Sequence, residues 1–214
     1  MHRRTALSVS AAAALLAATP LLTACGSDAH PGAAAVVGGR RIEVSSLQAQ
    51  VKDVRAAQAA SPQGANMVKE TGDLSRQKLH GMIFDRVVDR VAENNGVGAS
   101  RAEIQQTREE FARQSGGEAQ MASVLLQQQS VAPDQIDDVA RRAVLMNKIA
   151  AKLGVTNTPE GQKKLQEAFG RASKELKIDV NPRFGAWDDS KIQLAAYTPP
   201  WVRQISRSTP EAGA

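Results

Sequence analysis

The sequence predicts a mostly α-helical fold: a multi-helix cradle of about six helices, closed by a small β-sheet that short N-terminal and C-terminal strands form together. Three observations carry this. Apolar residues recur every third or fourth position through most of residues 45–176, the spacing of helical stripes. Short β-branched runs stand at Val36-Val37 and at Ile178-Asp179-Val180, near opposite ends of that region. With 42% hydrophobic residues and one cysteine in 214, the chain has the composition of a single core built without disulfides.

Residues 1–24 fall outside this fold. Met1-His2-Arg3-Arg4 is a cationic start, the stretch from Leu7 to Leu22 carries no charge, and small residues follow, which together read as a secretory signal. The apolar run is shorter than the ~20 residues a spanning helix needs and contains Thr19-Pro20, so export is expected rather than a permanent span. The signal ends at Leu22-Thr23-Ala24-Cys25, which holds the single cysteine of the chain. This tetrapeptide is similar to the lipobox of bacterial lipoproteins. The resemblance implies that Cys25 receives a diacylglyceryl group and, after cleavage, an acylated amino terminus, with palmitate-type chains. Each buried methylene of such chains contributes about 0.8 kcal/mol, so two or three chains anchor stably to the membrane. The alternative is an ordinary cleavage site beside a stray cysteine. Residues 25–32, Cys25 followed by Gly-Ser-Asp-Ala-His-Pro-Gly, are expected to be a flexible tether.

The folded domain is expected over 33–188. It opens with a strand at Val36-Val37, a Gly38-Gly39 turn and a return through Arg41-Ile42. A first helix follows from about Ser45, with Val44, Leu47, Val51 and Val54 on one stripe, and Ser61-Pro62-Gln63-Gly64 ends it. Asp73 is placed to cap a second, long helix on which Leu79, Ile83, Val87 and Val91 recur every fourth residue, before Asn94-Asn95-Gly96 stops it. Ser100-Arg101-Ala102-Glu103 matches a capping box and opens a third helix with Ile104, Thr107 and Phe111 inward, ending at Gly116-Gly117. A short fourth helix surrounds Met121, Val124 and Leu125, before the polar link Gln127-Gln128-Gln129-Ser130. Pro133 suits the first position of a fifth helix, whose stripe runs from Ile136 to Leu153. Thr158-Pro159 begins a sixth, with Leu165, Phe169, Ala172 and Leu176. The strand at Ile178–Val180 then returns to Val36-Val37, and Phe184 and Trp187 seal the closure. The polar stretch 189–214 is expected to be a partly disordered tail.

These residues carry a resemblance. Ala34 to Ile42 around the Gly-Gly turn, the unit from Gln77 through Ser100-Arg101-Ala102-Glu103-Ile104 to Gly116, and Met121 to Leu153 look like the amino-terminal region of the chaperone SurA and the related PrsA foldases. That family's opening strand typically reads Val-Ala-x-Val-Asn-Gly-x-x-Ile, and Val36-Val37-Gly38-Gly39-Arg40-Arg41-Ile42 follows it with glycine in place of asparagine. The match rests on order and spacing. It implies a chaperone that binds unfolded or nascent exported polypeptides. Members usually carry a parvulin prolyl-isomerase module after these helices, and the residues between Gly154 and Ile178 are too few for one. The family also often shows an Asn-Pro-Arg-aromatic-Gly segment near the returning strand, as at Asn181-Pro182-Arg183-Phe184-Gly185, where Arg183 between aromatic rings would otherwise suggest a ligand platform.

No catalytic set emerges from the residues themselves. The three histidines are His2 in the signal, His30 in the tether and His80 on the second helix, so neither a Ser-His-Asp set nor a metal cluster can be assembled. His80 reads as a surface or boundary residue. Gly38-Gly39 and Gly116-Gly117 lack the spacing of a phosphate-cradling loop, and no cofactor is expected. Beyond Arg3 and Arg4 the formal charge falls from +5 to +3, with no basic stripe, which argues against nucleic acid. Binding of unfolded chains calls for soft apolar side chains outside the core, and Met67, Met82, Phe84 and Met121 are the candidates, with packing in the core the alternative for the methionines. The alternative function is a structural or assembly lipoprotein that docks one folded partner.

Overall fold

The computed structural model describes residues 31–70 and 73–196. The signal, Cys25 and the tether up to His30, and the end of the tail with Tyr197 and Trp201, lie outside the described residues.

Strand β1 (Ala33–Val37) and strand β2 (Arg40–Glu43) form an antiparallel hairpin across Gly38 and Gly39. Both glycines have positive φ, +59° and +72°, as the tight two-residue turn that matches strand twist requires. Helices α1 (Val44–Ala60), α2 (Gly64–Glu70) and α3 (Leu74–Asn94) follow, then α4 (Arg101–Ser115) and α5 (Glu118–Gln129). A single 3₁₀ turn, Pro133–Gln135, leads into α6 (Ile136–Lys152), and α7 (Pro159–Glu175) leads into β3 (Asp179–Val180). The chain then forms a second hairpin from β4 (Ala186–Asp188) and β5 (Gln193–Ala195).

The first sheet has the order β2-β1-β3, so the opening strand is central and both its edges are paired within the domain. Ala35 lies opposite Val180 and Val36 opposite Asp179. The Asn181 amide donates to the Ala34 carbonyl at 3.0 Å, and the Gly38 amide donates to the Leu176 carbonyl at 2.6 Å. Val37 and Val180 are buried there, while Val36 and Ile178 are half-buried.

The largest core cluster joins this sheet to α1, α3, α6 and α7: Ile42, Leu47, Leu79, Ile83, Val87, Val91, Leu145, Ile149, Phe169 and Leu176 all belong to it. α3 is its axis, because an apolar residue at every fourth position keeps one face turned inward for its whole length. Full burial of each Leu or Ile contributes about 1.5–3 kcal/mol. Two satellite clusters sit away from the sheet.

Several expectations change. There are seven helices among the described residues, because Gly64 does not only end α1 but begins α2. A Cβ at Gly64 would overlap the Gln58 carbonyl, so glycine lets the chain turn back onto α1, and Met67 then anchors the short helix. Asp73 makes no capping bond and pairs with Arg76 instead. α5 runs on through Gln129 rather than yielding to a polar link, and Pro133 starts the 3₁₀ turn, not α6. None of Ile104, Thr107 and Phe111 is fully buried, so α4 is an outer helix packed on α5 and α6. Residues 193–195, expected within the polar tail, form β5, and Leu194 is 6% exposed and joins the main core.

The capping box at α4 forms as expected. Ser100 Oγ accepts from the Glu103 amide and the Glu103 carboxylate accepts from the Ser100 amide at 2.9 Å. The Lys148 ammonium and these cap bonds hold the Glu103 carboxyl down to about 2. Because α4 buries no residue completely, its amino end depends on this cap. Ser100→Ala is expected to cost about 1 kcal/mol, read as a lower urea midpoint with an unchanged slope.

Candidate functional site

A polar concavity lies where α1, α3 and the α5–α6 junction meet. It is a cleft of about 180 Å³ lined by Gln50, Gln77, Lys78, His80, Gly81, Met82, Asp85, Gln135, Val139 and Arg142, with the Gln129–Val131 corner closing one side. On α3 the residues Gln77, Lys78, Gly81, Met82 and Asp85 follow helical three- and four-residue spacing, so one face of the helix forms the floor.

The cleft is organised by charge and amide groups. Arg142 Nε and a terminal Arg142 nitrogen donate to the two Asp85 oxygens at 2.6 and 3.1 Å, a bidentate pair across α3 and α6. Burial pushes the Asp85 carboxyl above the usual carboxylate value, and the Arg142 hydrogen bonds oppose the shift. Lys78 Nζ donates to Gln135 Oε1 at 2.6 Å, and Gln135 Nε2 donates to the Gln50 carbonyl at 3.2 Å. This relay ties α3, the 3₁₀ turn and α1 together through a buried glutamine. Burial, followed by the Arg142 charge, pulls the Lys78 ammonium down to about 8, against Asp134, Asp85 and Asp138.

His80 forms one wall and couples the cleft to the second hairpin. Its ring lies 6.2 Å from Phe84 and 5.7 Å from Trp187, and Phe84 in turn stacks 5.8 Å from Phe169. The Leu194 amide donates to His80 Nδ1 at 3.3 Å, so the neutral ring carries its proton on Nε2. Burial first, then Arg142, lowers the His80 pKa below the ordinary imidazole value, while Asp85 opposes. Protonation at Nδ1 forfeits the bond from Leu194. With a folded pKa below the unfolded one, the stabilisation is full above about 6.5 and is lost as pH falls below it. In a Trp201→Phe background, acidification from neutral pH is expected to red-shift Trp187 emission as β5 loosens. Emission that stays constant down to unfolding would contradict this.

The four residues expected to meet a client are dispersed. Met82 lines the cleft. Phe84 is engaged by His80, Phe169 and the Arg142 guanidinium, which lies 5.9 Å above its ring. Met67 and Met121 are corrections: at 6% and 1% exposure they fill the satellite clusters, Met67 against Val54, Leu74 and Leu126, Met121 against Leu125, Val131 and Ile136. An unbranched thioether suits such irregular gaps between short helices. Among the described residues, the one exposed large apolar side chain is Val68. Of the residues expected to close the fold, Val36, Val37 and Val180 lie in the first sheet, Ile178 stands just before β3, and Ile178, Phe184 and Trp187 pack against the main core. Arg183 is exposed and stands over the Phe184 ring at 4.5 Å, with no second ring against it among the described residues.

Sequence reasoning missed Lys78, Asp85, Gln135 and Arg142. The Lys78–Asp85 spacing places both on one helical face, but their partners come from distant segments. Among the described residues no three His, Cys, Asp or Glu side chains gather as a metal site, and no helix is long and apolar enough to cross a membrane.

The fold is a helical domain whose opening strand is clasped by a returning one, with an amide-lined cleft along its central helix. The profile of the SurA-like N-terminal domain family matches residues 3–150, and the chain belongs to that family. The match runs through β1 and nearly all of α6, while α7 and the second hairpin lie beyond it. No curated protein and no solved structure matches the chain.

Proposed function

We propose that this protein is an exported lipoprotein, anchored to the membrane through Cys25, that binds unfolded or nascent exported polypeptides without prolyl-isomerase activity. The observation that carries the reading is the cleft along α3. Gln50, Gln77 and Gln129 line it with side-chain amides beside the thioether of Met82, while Gln135 braces its wall. An unfolded chain presents backbone amides and carbonyls in every sequence, so side-chain amides suit binding that does not read sequence. Membership of a chaperone-type family supports the same reading. The residues between α6 and β3, where an isomerase module would be expected, form the single helix α7.

A second reading is a lipoprotein that docks one folded partner. The scarcity of exposed large apolar side chains among the described residues weighs against a broad apolar surface for unfolded clients. The purified full chain, added to several unrelated unfolded proteins, discriminates between the two. Aggregation of most of them is expected to be suppressed at near-stoichiometric ratios. Suppression of none would favour the dedicated partner. Palmitate incorporation that persists in Cys25→Ser would refute the anchor.

A further inference from the structure

We propose that a guanidinium pocket formed by Arg40, Arg86 and Arg90 holds a phosphate of an anionic lipid headgroup. The choice of a lipid source rests on the membrane anchoring proposed above; the pocket itself does not. It is a concavity of about 80 Å³ between the turn end of the first hairpin and α3, on a different face of α3 from the cleft. Arg86 and Arg90 are four residues apart and share that face, and Arg40 enters from the start of β2.

Of the three cations, Arg90 alone has a carboxylate at ion-pair distance, Glu93. Among the described residues neither Arg40 nor Arg86 has a carboxylate within 4 Å. The hydrogen bond of Arg86 goes to the Arg41 carbonyl at 3.3 Å, which fixes the guanidinium beside Arg40 without neutralising it. Arg90 Nε is buried and makes no hydrogen bond; Glu93 Oε2 stands 3.6 Å away, outside donor range. Of the two carboxylates lining the pocket, Asp89 is taken by Arg141 at 2.7 Å. Burial first, then the nearby Arg40 charge, lowers the Arg86 pKa, while Asp89 opposes the shift. An anion between Arg40 and Arg86 relieves their repulsion, and the planar guanidinium fork matches two oxygens of a phosphate.

The sequence places such phosphates within reach. Residues 26–32 separate Cys25 from β1, and a fully extended stretch of that length spans roughly 25 Å. The pocket lies at the far end of β1, roughly 17 Å from its first residue.

The test uses the full chain carrying Cys25→Ser, so that acylation contributes nothing and a failure of the anchor reading or of client binding leaves this result readable. Co-sedimentation is measured with phosphatidylcholine vesicles, with and without phosphatidylglycerol. Binding is expected to require phosphatidylglycerol, and Arg86→Gln or Arg90→Gln is expected to weaken it about fivefold each at unchanged melting temperature. Arg171→Gln, on α7, is the control and should leave it unchanged. Should Arg90→Gln unfold, Arg40→Gln, at an exposed strand position, reads the same contribution. Equal binding to both vesicles, or an equal loss in the Arg171 variant, overturns the proposal. So does calorimetric binding of inorganic phosphate without vesicle binding, which would assign the pocket to a soluble anion.

Discussion

Trp187→Ala is expected to lower the melting temperature by roughly 5–10 °C while leaving client affinity of the folded protein unchanged. Trp187 Nε1 donates to Ser173 Oγ at 2.7 Å, and Ser173 is fully buried, with its own hydroxyl turned to Asp189. The indole also packs 5.7 Å from His80 and lies opposite Leu194 across the hairpin. Truncation removes the ring that holds β4–β5 to α3 and α7 and leaves the serine short of one partner. A buried Trp→Ala costs 3–5 kcal/mol; for a half-buried ring the loss is about 2–3 kcal/mol, which gives the stated shift for a domain of this size. Arg183→Ala is the contrast. Its guanidinium is exposed, so a change within about 0.5 kcal/mol is expected. Loss of client binding in Trp187→Ala at unchanged stability would instead make the aromatic segment a site.

What the sequence revealed follows from which interactions are local. The stripe Leu79, Ile83, Val87, Val91 and the cap at Ser100 are read from neighbours three or four positions apart, and both appear as expected. The pairing of Val36 with the returning strand was legible because β-branched residues stand at both ends and Asn181-Pro182 ends the return. The β4–β5 hairpin was not. Its strands are three residues long, too short for an alternation to register, and its path depends on Gly185 at φ +131°, where a Cβ would overlap the Ala195 carbonyl. The turn between them is fixed by Asp188 Oδ1, which accepts from the Ser190 and Lys191 amides. α2 escaped for a similar reason, since Gly64 reads as a stop unless the approach of the Gln58 carbonyl is known.

The cleft was less legible than the fold. Met67 and Met121 carried both a client-binding and a core reading, and the gaps between short helices claim both side chains for the core. Lys78 and Asp85 share a face with Met82, but Gln50, Gln135 and Arg142 reach them only after α1 and α6 pack against α3. Polar residues with distant partners carry no sequence period, and this is why a mixed, amide-lined concavity stayed hidden while the core did not.

On the proposed function, unfolded polypeptide enters the cleft along α3. Gly81 provides the most direct measurement. It lines the cleft in the middle of the helix, and a Cβ built there meets no atom within 4 Å. Replacing a mid-helix glycine removes a backbone cost of about 0.5–1 kcal/mol, so a larger side chain at this position should not destabilise the fold. In Gly81→Trp the indole occupies the cleft, and affinity for a fluorescently labelled, permanently unfolded polypeptide is expected to fall at least about tenfold, with a melting temperature equal to or above that of the parent protein. Unchanged affinity in a Gly81→Trp protein of full stability would contradict the account and move client binding off this face.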